Sequence, residues 1–115
     1  MKPTPLLALS LALGLGLAAC QHQPARKAGE DLALAQAACG GCHAVERNDL
    51  SPNPDAPPFA AIVNQRGLTR ATLATWLRDA HNYPEEMDFY LDEPEVDALV
   101  DHMLTLRDPD YRPAI

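Results

Sequence analysis

Four of the eleven residues from position 48 to 58 are proline (Pro52, Pro54, Pro57 and Pro58). No helix or strand runs through such a stretch, because each proline fixes φ and removes a backbone donor. A second irregular stretch is expected over residues 81–91, broken by Pro84. Around these two breaks the apolar residues recur at helical spacing, and no convincing strand is present. Residues 30–38 are rich in alanine and leucine, with acids in the first turn, which favours a helix. A short helical turn is expected over residues 59–63. Thr69 is placed to cap a helix over residues 70–80 that carries Leu73, Trp76 and Leu77 on one face. Asp92 is placed to cap a last helix, with Pro94 in its first turn. There Val96, Leu99, Val100, Met103 and Leu104 keep the i, i+3, i+4 spacing, and Arg107 suits the C-terminal end. The expected architecture is all-α with two long ordered loops, and loops of that length in a small domain usually wrap something.

Composition sharpens this. The chain has 115 residues, 47% apolar, yet much of that fraction sits in the first nineteen positions. One Trp, three Tyr and two Phe are the whole aromatic inventory, and there are no internal repeats. A core this thin needs a staple: disulfides, a metal or a cofactor. The formal charge of −7 argues against nucleic acid and against a basic membrane-surface patch.

Cys39-Gly40-Gly41-Cys42-His43 offers the staple. Two thiols three positions apart, followed at once by histidine, form the attachment signature of c-type haem. At a helix end the thiols can reach the two vinyl groups of one porphyrin as thioethers, and the next residue aims its imidazole at the iron. Three rival readings are weaker. A thioredoxin-like dithiol needs a strand leading into the motif. A zinc site wants four ligands, and no second paired motif is present. A plain disulfide leaves His43 unexplained.

The first segment reads as a tag. Lys2 precedes an apolar run from Leu6 to Leu17 that is too short to span a bilayer and reads as an export signal. Leu17-Ala18-Ala19-Cys20 is similar to the lipobox of bacterial lipoproteins, in which that cysteine is lipidated and becomes residue one; a plain cut near Ala19 is the alternative. The expected division is a signal at 1–19, lipidated Cys20 with a flexible tether at 20–28, and one domain at 29–115. With Cys20 acylated, Cys39 and Cys42 remain as an even pair in an oxidising compartment. The domain would ride close to the periplasmic side of a membrane, inner or outer being left open.

The chain resembles the small class I, single-haem cytochromes c of bacteria over roughly residues 29–107. Gly29 with Leu32 leads into the haem motif. Ala56-Pro57-Pro58-Phe59-Ala60-Ala61-Ile62 is similar to the family's loop-to-short-helix segment, and Leu73-x-x-Trp76-Leu77 precedes a loop bearing a methionine. The segment from Asp92 to Leu106 resembles the terminal helix. The resemblance implies three to four helices around one covalent haem c held by Cys39 and Cys42. It implies His43 as proximal and Met87 as distal iron ligand, with the Pro57 carbonyl taking the free imidazole N–H of His43. Phe59 and Trp76 would pack near the haem or simply fill the core. Two departures stand out: Asp88 follows Met87 where the family often has proline, and His102 stands where an aromatic commonly packs against the first helix. His81 borders the methionine loop and competes with Met87; His22 lies in the tether, and Met103 falls on a packing face.

Iron held by His and Met is coordinatively full and has a raised potential relative to bis-histidine iron. The expected function is therefore a membrane-tethered periplasmic electron carrier with no catalytic residues, serving redox protein partners that carry a basic docking face. A haem subunit of a larger dehydrogenase or oxidase is the first alternative. A gas-binding or peroxidase-like protein with an open sixth position is the second.

Overall fold

The computed structural model describes residues 23–113 apart from Ala80 and Asn82. The expected signal segment, Cys20 and His22 lie outside the described residues. Four α-helices and one 3-10 turn, with no strand, make up the regular structure among them: α1 (Gln23–Ala38), α2 (Phe59–Val63), α3 (Arg70–Asp79), the 3-10 turn Glu85–Met87, and α4 (Glu93–Thr105). The chain is all-α. No described helix is long and apolar enough to cross a membrane.

Helix α4 is the element the others are arranged around. Asp92 starts it with a reciprocal cap: its carboxylate accepts from the Glu95 N–H at 2.8 Å, while the Glu95 carboxylate accepts from the Asp92 N–H at 2.9 Å. Pro94 fits the first turn, where its missing donor has no partner to lose. Val96, Leu99, Val100 and Met103 are fully buried and face α1, α3 and the shorter α2. Helix α3 begins at the expected cap, with the Thr72 N–H donating to the Thr69 hydroxyl at 3.1 Å. Leu73 and Leu77 enter the core, whereas Trp76 stays at its margin, 39% exposed.

Helix α1 departs from expectation. Residues 23–28, read as part of a flexible tether, are already helical. Pro24 does not prevent this because it sits in the first turn, and the alanines, arginine and lysine that follow are strong helix formers. The extension is also held in place. The Lys27 ammonium donates to Asp31 at 2.7 Å and to Asp101 of α4 at 2.8 Å, and Arg70 of α3 ion-pairs with the same Asp101. The Lys27 hydrogen bond, with that of Arg70, holds the Asp101 carboxyl below its ordinary value against a smaller opposing effect of burial. Asp101 and then Asp31 hold Lys27 above its own. One carboxylate thus ties three helices at a common point.

Two arginines close the far ends. Arg107 does more than complement the end of α4: its guanidinium donates to the Val63 carbonyl at 3.2 Å and to that of Leu68. Arg47, from the loop after α1, donates to the Thr105 carbonyl at 2.7 Å, satisfying one of the carbonyls that a helix end leaves open.

Candidate functional site

The motif begins where α1 ends. The Cys39 and Gly40 amides still bond back to Ala35 and Gln36, and the Cys42 and His43 amides then both donate to the Cys39 carbonyl, at 3.1 and 2.9 Å. This extra turn places Cys39 and His43 four residues apart on one turn of backbone. It demands glycine at position 40, where an added Cβ would lie 2.6 Å from the Gln36 carbonyl oxygen; at Gly41 nothing stands within 4 Å. Cys39 and Cys42 are both free. Cys42 is exposed, whereas Cys39 is half-buried and burial pushes its thiol up to about 11.

The proline-rich loop folds back along this motif and fastens three consecutive residues. The Asn53 N–H donates to the Cys42 carbonyl at 3.1 Å, and the Phe59 N–H donates to the Ala44 carbonyl at 2.9 Å. The Ala44 N–H in turn donates to the Ser51 hydroxyl at 3.1 Å. Between them, Nδ1 of His43 lies 2.7 Å from the Pro57 carbonyl oxygen, the contact that the resemblance implies. A carbonyl only accepts, so Nδ1 carries the proton and Nε2 of the neutral ring keeps a free lone pair. Phe59 is buried in the core with its ring 5.8 Å from that of His43, so core packing and contact with the site coincide in one residue.

A second cluster lies on the later loop. His81 is enclosed, 5% exposed, with Phe89 at 5.1 Å and Trp76 at 6.2 Å, both rings edge-on. Its Nε2 is buried without a hydrogen-bond partner among the described residues. Met87 ends the 3-10 turn, its amide bonded to the Pro84 carbonyl at 2.8 Å, and its side chain is only half-buried. No hydrogen bond or ring contact among the described residues links this cluster to that of His43.

His102 is buried in α4 and also makes a polar contact. Its Nε2 lies 2.7 Å from the Val45 carbonyl, two residues after His43, so it also links α4 to the loop. Its place on the apolar stripe of α4, three residues after Leu99, is the signal that marks it as buried. Nothing local marks Arg47 or the enclosure of His81. No group of three or more His, Cys, Asp or Glu side chains converges as a metal cage among the described residues. Compared with protein-family models, curated proteins and solved structures, the chain matches none.

Proposed function

We propose that the chain is a single-haem c-type cytochrome that carries electrons. The observation that carries this reading is the turn Cys39–His43 with Nδ1 of His43 engaged by the Pro57 carbonyl. That bond fixes the tautomer and leaves the Nε2 lone pair available, which is what a metal-ligating imidazole requires. Two free thiols stand on the same turn. Among the described residues no group of three or more His, Cys, Asp or Glu side chains converges on His43, whereas a porphyrin would bring its own nitrogen donors.

The residues present fit a covalently attached haem. Cys39 and Cys42 would hold it as thioethers and His43 would ligate its iron. Phe59 would back the ring of His43, which it already approaches. As a second iron ligand Met87 would be the better candidate: the residue is half-buried, whereas the His81 imidazole is shut between Trp76 and Phe89. When bound, the haem supplies a one-electron couple, and a methionine ligand sets it at higher potential than a second histidine would. The chain's own part is to hold the proton on Nδ1 of His43 by aiming it at the Pro57 carbonyl, to permit the tight motif turn through Gly40, and to exclude water with Phe59 and the α4 core. By its leader the protein would be lipidated at Cys20 and tethered to the periplasmic side of a membrane.

Production in a host with c-type haem attachment machinery tests this. The purified protein should carry one haem that resists acid–acetone extraction, and Cys39→Ser with Cys42→Ser should abolish it. Haem that extracts freely, or a stable folded product without any, would contradict the proposal.

A further inference from the structure

Residues 83–90 form one short loop, knitted by the bonds Met87 N–H to Pro84, Asp88 N–H to Glu85 and Phe89 N–H to Met87. Its two ends are open aromatic rings: Tyr83 is 85% and Tyr90 87% exposed. Phe89 and Trp76, joined through His81, are each 39% exposed beside them. Single exposed apolar residues are ordinary, but four of the chain's six aromatic rings gathered at one place are not. The same loop carries Glu85, Glu86 and Asp88, all exposed and without an ion-pair partner among the described residues, and Asp92 and Glu93 follow it. From residue 79 to residue 106 the sequence has no lysine or arginine at all.

We propose that this loop is a docking surface for a basic protein, whose lysines and arginines seat against the tyrosine rings and the rim carboxylates. Aromatic anchors inside a charged rim are the composition of a specific interface, and exposed rings attract cations directly. The charge selects the occupant. A second copy of this chain would bring the same acids into contact, and an anionic bilayer would repel them, whereas a basic protein is drawn in and oriented. The partner's being a redox protein rests on the electron-carrier reading, because Met87 lies inside the loop and docking there would approach the distal side of the haem.

The test uses the haem-loaded full chain and mitochondrial cytochrome c, a small lysine-rich protein, as the probe, with affinity measured by isothermal titration. Raising ionic strength from about 0.01 M to about 0.15 M shortens the screening length roughly fourfold, and Kd should rise at least tenfold. At low salt, Tyr83→Ser with Tyr90→Ser should raise Kd by about tenfold. Glu85→Gln with Glu86→Gln should raise it by roughly three- to tenfold and flatten the salt dependence. All variants should keep the parent's haem spectrum. A Kd unmoved by salt or by both pairs of substitutions would overturn the proposal. So would loss, in the tyrosine variant, of self-association in sedimentation or of binding to phosphatidylglycerol vesicles instead. Reduction by ascorbate and reoxidation by ferricyanide reads the carrier function separately. Failure there contradicts the proposed function, while an intact redox cycle with unaltered probe binding contradicts the docking surface alone.

Discussion

Gly40 and Gly41 occupy the two positions that the haem motif leaves free, yet only one of them is free in the fold. A methyl group at 40 meets the Gln36 carbonyl at 2.6 Å, and backbone cannot swing away as a side chain would. Gly40→Ala should therefore cost about 1–3 kcal/mol, as overpacked positions do. Gly41→Ala should stay within about 0.5 kcal/mol of the parent. Denaturant unfolding of the haem-loaded variants checks the contrast, and equal effects at the two positions would refute it. The same scale separates three imidazoles, His43, His81 and His102, into two kinds. His43 and His102 each engage a loop carbonyl at 2.7 Å, whereas His81 has a buried nitrogen with no partner among the described residues. A buried unsatisfied group of this kind costs roughly 1–3 kcal/mol, which the edge-on rings of Trp76 and Phe89 offset in part.

Helix boundaries were legible where the deciding contact is local. Thr69 and Asp92 announce α3 and α4 because a cap acts across three residues. Residues 59–63 form a helix where expected, since the prolines before them end the loop. The start of α1 was not legible. Its first turns lack an apolar period, and what fastens them is Lys27 reaching Asp101, seventy-four residues away. Arg47 capping Thr105 across fifty-eight residues is hidden for the same reason. The Asp101 junction carries a pH signature. Its carboxyl is held below the ordinary 3.8, so the unfolded chain binds its proton first on acidification. The stabilisation is present above 3.8 and is lost as pH falls through the lower native value. Asp101→Asn should destabilise the protein at neutral pH by about 0.5–1 kcal/mol, the range for partly exposed pairs. In thermal melts the gap to the parent should close below that window; a gap that persisted in acid would show that packing, not charge, is what Asp101 contributes.

For the whole molecule, a small α-helical frame presents two groups of side chains that the sequence had placed only by motif. The Cys39–His43 turn was legible because two thiols and an imidazole at this spacing match the attachment signature of c-type haem. Its bracing by residues 51–59 was legible only in part, since Pro57 came from the family resemblance while the Ser51 hydroxyl and the Asn53 amide emerge from hydrogen bonds to the motif backbone. The sequence left Met87 and His81 as rivals for the distal position, and the enclosure of His81 favours Met87. The account stands most directly on one measurement: carbon monoxide binding to the ferrous protein, followed by its visible spectrum. A methionine-ligated iron has no open position, so the parent and His81→Ala should show no change under carbon monoxide, while Met87→Ala should bind it and show a lowered potential. Carbon monoxide bound by the parent, or a Met87→Ala protein that excludes the gas while His81→Ala binds it, would contradict the His43/Met87 carrier.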